Sequence, residues 1–154
     1  MARTFSAFYG ATIGLFYASI SFANTYSRAD LASVTFAYRH PFAGETLENS
    51  LSDFASQKVL LEEATAFLKR EPTTHVYVKG YADTAECAHQ NCQVLSDRRA
   101  QLVYDWLLTH GVNEAQLEGR MGFGNMEPID FEDTEAQRTR NRRVQFALTF
   151  GNDP

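Results

Sequence analysis

Hydrophobic and polar residues alternate or recur with clear periods along most of the chain after residue 32. Ser33-Val34-Thr35-Phe36-Ala37-Tyr38 alternates with the period of two that a half-buried strand requires. Residues 39–49, with Pro41 and Gly44, read as a loop. From Leu51 the apolar positions Phe54, Leu61, Ala64 and Leu68 keep helical spacing, and Pro72 stops that helix. His75 to Tyr81 reads as a second strand with two valines on one face. Ser96 is a suitable N-cap for a helix over 97–110, whose residues Ala100, Val103, Trp106, Leu107 and His110 share a face and whose end is marked by Gly111. Leu117 to Phe123 reads as a third strand, Met126 to Asp133 as an acidic loop, and Thr134 to Arg138 as a helical turn. Arg143 to Phe150 alternates as the last strand. The order predicts an α+β fold, βαβαββ: a two-layer sandwich with a mixed four-stranded sheet and two main helices on one face.

The first 23 residues follow another pattern. Arg3 precedes an apolar stretch from about Phe5 to Ile20, and Ser21-Phe22-Ala23 supplies small residues at the −3 and −1 positions. This is the pattern of a secretory signal peptide cleaved before Asn24. A transmembrane anchor is the other reading, but no basic stop-transfer cluster follows. No cysteine lies near the cleavage point, which argues against a lipoprotein. The expected organisation is a signal peptide at 1–23, a leader at 24–31, one domain at 32–150 and a tail at 151–154, in the periplasm.

Composition narrows the function. With 14 Lys+Arg against 19 Asp+Glu, the net charge is −5, which argues against nucleic-acid binding. Two cysteines exclude a disulfide-dense miniprotein. In an oxidising compartment Cys87 and Cys92 are expected to pair, fixing the loop that carries them. The rival is a metal site on Cys87, His89 and Cys92 with Glu86 nearby, but the fourth ligand is missing and the compartment oxidises thiols. No metal or cofactor is expected. His75, in a strand, and His110, at a helix end, lack an obvious Ser or Cys partner, and His40 lies in the enlarged loop, so no enzyme is expected either.

Charged residues cluster in two segments. In YVKGYADTAECAHQNCQVLSDRRA, from Tyr77 to Ala100, Asp83 lies just past a strand end and Arg98 and Arg99 stand in the expected first turn of a helix. Cations there oppose the helix dipole by some tenths of a kcal/mol, so another reason for them is implied, such as holding a carboxylate in a bidentate fork. With Asp83 beside it, such an arginine suits a zwitterion. The plain alternative is an internal salt bridge between Asp83 and Arg99. In EAQRTRNRRVQF, from Glu135 to Phe146, four arginines fall within six residues. They can hold an anion or pair with the acidic loop Glu127 to Asp133.

Both segments resemble the OmpA-like peptidoglycan-binding domain family, which includes OmpA C-terminal domains, Pal, MotB and MotY. The family pattern runs strand–GHTD–loop–N–LSxxRA, then GYG…P, then NRRV. Here it is matched by Gly80-Tyr81-Ala82-Asp83, Asn91, Leu95-Ser96-Asp97-Arg98-Arg99-Ala100, Gly122-Phe123-Gly124, Pro128 and Asn141-Arg142-Arg143-Val144, in order over about residues 74–150. The resemblance implies noncovalent binding of peptidoglycan through the diaminopimelate of its stem peptide. Asp83 would hold the amine and Arg99 the carboxylate, with Asn91 and Arg142 or Arg143 near the ligand. It implies an envelope assembly as partner, reached through another protein. The alternative is an interaction module that keeps the fold without wall binding. Two departures stand out: Tyr81 replaces the usual His, and the loop from Asp83 to the arginine is one residue longer. An ungapped count points to Arg98, whereas the LSxxRA register points to Arg99.

Overall fold

The computed structural model describes residues 31–150. The expected signal peptide, the leader before residue 31 and the tail at 151–154 lie outside the described residues.

The sheet has four strands in the order β1-β4-β2-β3, namely Val34–Thr35 (β1), Thr74–Gly80 (β2), Leu117–Gly122 (β3) and Arg143–Phe150 (β4). β4 runs antiparallel to β1 and β2, while β2 and β3 are parallel, so the sheet is mixed as expected. β1 is shorter than the alternation suggests. Phe36 leaves the ladder for an isolated bridge to Leu51, and the chain then turns through Arg39 at φ 64 and a cis His40–Pro41 bond.

One face of the sheet carries the core. Val76 and Val78 of β2 and Val144 and Phe146 of β4 meet the buried stripes of the two long helices, Phe54–Arg70 (α2) and Cys92–Thr109 (α4). α2 contributes Leu61, Ala64, Phe67 and Leu68. It ends before Pro72, whose ring disfavours helical backbone at the preceding residue. α4 ends in a Schellman turn: Gly111, at φ 86, donates to Leu108 O and Val112 to Leu107 O. Three short α-helices, namely Leu47–Ser50 (α1), Thr84–Cys87 (α3) and Glu135–Asn141 (α5), and a 3-10 turn at Glu114–Gln116 complete the element set.

α4 starts five residues earlier than the sequence pattern suggests. Asn91, not Ser96, is the N-cap, with its side chain accepting from Val94 N–H. Ser96 lies inside the helix, where its Oγ accepts from Gly124 N–H at 2.9 Å. Arg98 and Arg99 therefore stand beyond the first turn, and the helix-dipole argument does not apply to them. Trp106 and His110 lie off the buried stripe and stack on each other at 3.6 Å.

Two glycines set how closely α4 meets the sheet. A Cβ on Gly80 would lie 2.0 Å from Ser96 O, and one on Gly122 would lie 2.3 Å from Asp97 N. Both obstacles are backbone, so the helix can approach β2 and β3 this closely only over residues without side chains.

Candidate functional site

β2 ends at Gly80 and delivers Tyr81, Ala82 and Asp83 to the edge of the core. Asp83 then caps α3. Its Oδ1 accepts from Glu86 N–H at 2.7 Å, and Glu86 Oε2 accepts from Asp83 N–H at 3.2 Å, completing a capping box. Cys87 and Cys92 form a disulfide that ties the end of α3 to the start of α4.

Arg99 stands on the apolar stripe of α4 among Leu95, Ala100 and Val103 and is fully buried. A guanidinium there must have all five N–H groups satisfied. Nε donates to His40 O, one terminal nitrogen to Tyr81 O and Glu86 Oε2, and the other to Ala37 O and Glu86 Oε1. The two Glu86 contacts, at 2.9 and 2.6 Å, form a bidentate pair with both side chains at 0% exposure. Burial pushes the Arg99 guanidinium below its ordinary range, and Glu86 opposes that shift.

Asp83 does not pair with Arg99. Its Oδ2 accepts from Arg142 at 2.7 Å, also buried. Arg142 further donates to Phe36 O, Glu135 Oε1 and Thr139 Oγ1, and its guanidinium lies 5.7 Å from the Tyr38 ring. Burial alone would lower the Arg142 guanidinium, but Asp83 and Glu135 outweigh it and hold it above the usual range. Arg99 still feels the charges of both Asp83 and Arg142. The site is thus a buried quartet, Asp83–Arg142 beside Glu86–Arg99, of two negative and two positive charges. The chain from Phe36 to His40 closes over it with its carbonyls, and Arg39 N–H donates to Glu86 Oε1 at 2.5 Å.

Of the residues expected at the site, Asp83, Arg99 and Arg142 come together. Asn91 is exposed and spends its side chain on the α4 cap. Arg143 points to the opposite face of the sheet, 3.9 Å over the Tyr81 ring, where it donates to Glu127 O and Gln145 Oε1. Arg98 is exposed, whereas Arg99 is fully buried. Both sulfurs of the metal alternative are engaged in the disulfide. The arginine-rich segment pairs with the acidic loop: Arg140 with Asp130, and Arg138 with Glu132 O. Asn141 pins that loop by accepting from Ile129 and Asp130 N–H. Glu86 is the participant that sequence reasoning missed as a member of this site. Its signal was the Asp-x-x-Glu spacing of a capping box at Asp83 and Glu86.

The sequence profile of the OmpA family matches residues 48–142. Among curated proteins, outer membrane porin F of Pseudomonas aeruginosa is 34% identical over 102 residues, covering 64% of this chain and 26% of that protein. The peptidoglycan-binding protein ArfA of Mycobacterium tuberculosis is 32% identical over 89 residues, covering 58% of this chain and 27% of that protein. The chain thus spans about a quarter of the length of these relatives. Among solved structures, the peptidoglycan-associated lipoprotein of Burkholderia pseudomallei aligns with TM-score 0.57 at 25% identity, covering 76% of this chain and 89% of that one. The C-terminal domain of Helicobacter pylori MotB shares the fold, with TM-score 0.62 at 22% identity over 80% of this chain and 87% of that one.

Proposed function

The chain belongs to the OmpA family, and from that premise we propose that it binds peptidoglycan noncovalently, without cleaving it, through the diaminopimelate of the stem peptide. In this reading it is a periplasmic, wall-associated protein that tethers the wall to an envelope assembly through a protein partner. Among the described residues no helix is long and apolar enough to cross a membrane.

One observation carries the reading: a carboxylate from the end of β2 and a guanidinium from α4 stand in one buried cluster, each already paired with a group of opposite charge. An amino-acid head group carries both complements. Its ammonium suits Asp83 and its carboxylate suits the bidentate fork of Arg99. The head group has no net charge, so its entry adds none to the buried cluster.

A second reading has its own support. Every charge of the quartet is satisfied within the chain, as suits an interaction module that keeps the fold without wall binding. Sedimentation with insoluble diaminopimelate-type sacculi separates the two. Wild type is expected in the pellet and Asp83→Asn, checked for an intact fold, in the supernatant. Equal pelleting of the two, or failure of wild type to pellet, overturns the proposal. Release of soluble muropeptides would overturn the non-catalytic part.

A further inference from the structure

The Glu86 carboxylate occupies both terminal nitrogens of Arg99, the fork that a bidentate carboxylate would need. We propose that Glu86 is a built-in competitor for the ligand, so that binding at this site is an exchange of one carboxylate for another. This rests on the peptidoglycan-binding reading above.

Three features hold Glu86 in place. Its backbone N–H is capped by Asp83, its carboxylate accepts from Arg39 and Asp83 N–H as well as from Arg99, and its neighbour Cys87 is tied to Cys92. All five N–H groups of Arg99 are in use, two of the contacts being to Glu86. A second carboxylate therefore finds no free donor on Arg99. Placed beside Glu86, it would also put two buried negative charges on one guanidinium, which is strongly unfavourable. Displacement of Glu86 removes both obstacles.

The exchange defines the ligand class. The incoming group must be an ionised carboxylate able to match the bidentate geometry that Glu86 already satisfies. An amidated carboxylate has no negative charge and only one strong acceptor, so it leaves Glu86 in possession of Arg99. A lysine side chain, which has the amine but no carboxylate, likewise gives Glu86 no reason to leave.

The test uses the full chain with a diaminopimelate-containing stem peptide, its amidated form, and a lysine-containing peptide. Glu86→Ala is expected to bind the first peptide at least about tenfold more tightly than wild type, and to show weak binding of the other two. Equal or weaker binding by the variant, while wild type binds, overturns the competitor role and leaves the wall-binding reading intact. Absence of binding by wild type and variant alike overturns both. Because Glu86→Ala leaves Arg99 buried without its partner and can fail to fold, a second measurement uses wild type alone. On saturation with the peptide, the carbon-13 resonance of the Glu86 carboxyl is expected to move to the position of a solvent-exposed glutamate. A resonance that stays put while the peptide is bound overturns the proposal.

Discussion

Glu86 and Arg99 face each other as a two-pronged ion pair in which neither side chain retains any contact with solvent. The pair joins a four-residue helix to the middle of the longest helix in the domain, across 13 positions of sequence. Its two ends are unequal in what surrounds them. Arg99 keeps three backbone carbonyls if Glu86 is lost, whereas Glu86 keeps only two backbone N–H groups if Arg99 is lost.

Arg99→Ala is therefore expected to destabilise the fold by about 3–5 kcal/mol, the usual cost of leaving one partner of a buried pair alone. Domains have only about 5–15 kcal/mol in total, so the urea midpoint should fall steeply. Replacing both partners by apolar residues, Glu86→Leu with Arg99→Met, should recover much of the loss while leaving no wall binding. Arg98→Ala, one position away but exposed, should change stability by less than about 0.5 kcal/mol and leave binding unchanged. If Arg98→Ala abolishes binding and Arg99→Ala only weakens it, the ligand arginine is Arg98.

The close approach of α4 to the sheet gives a second expectation. Gly80→Ala and Gly122→Ala each drive a methyl group into the backbone of α4. Backbone cannot rotate away as a side chain can, so the helix must move. The expected loss is about 1–3 kcal/mol or more in thermal or urea unfolding. Because the same helix carries Arg99, wall binding should fall as well. Gly44→Ala is the control: no atom lies within 4 Å of its Cβ, and only the left-handed φ of 79 is unfavourable, so its cost should stay near 1 kcal/mol.

These elements differ in how far the sequence disclosed them. β2 and β4 are legible because alternation is enforced by a sheet with one buried face: Val76 and Val78 go in while Tyr77 and Lys79 stay out. The start of α4 is not, because Cys92, Gln93 and Val94 show no apolar period and Ser96 imitates a cap while serving as an internal tie to Gly124. At the site, Asp83 and Arg99 are legible through their motif, but their partners are not. The pairing depends on Arg142, 59 residues from Asp83, and on Glu86, whose local spacing signals a helix cap and says nothing of an arginine on another helix. The direction of Arg143 follows from strand alternation: next to the core-facing Val144 in β4, it must face the other side of the sheet.

The disulfide is open to a direct check. Intact mass should rise by the mass of two hydrogen atoms on reduction, and no change would remove the bond. The Cys87–Cys92 loop is short, so by the loop-entropy argument reduction should lower stability by only about 2 kcal/mol. A larger loss would mean that the bond also holds Glu86 against Arg99.

Tyr81 provides the pH expectation. Its ring is buried between Arg143, 3.9 Å away on one side, and Phe123, with centroids 5.5 Å apart, and its hydroxyl donates to Glu127 Oε2 at 2.9 Å. Burial pushes the phenol up from its ordinary value of 10.0 to about 12, and the Glu127 carboxylate adds to the shift while Arg143 opposes it. The folded state therefore holds this proton at pH values where the unfolded chain has released it. The stabilisation is fully present below pH 10.0 and is lost as pH rises towards about 12. Wild type should lose stability across that window more steeply than Tyr81→Phe, which has no proton there to release. The difference in phenolate absorbance between the two proteins should reveal one tyrosine titrating late. Equal slopes, or a difference spectrum centred near pH 10, would show that Tyr81 is not held neutral by its surroundings.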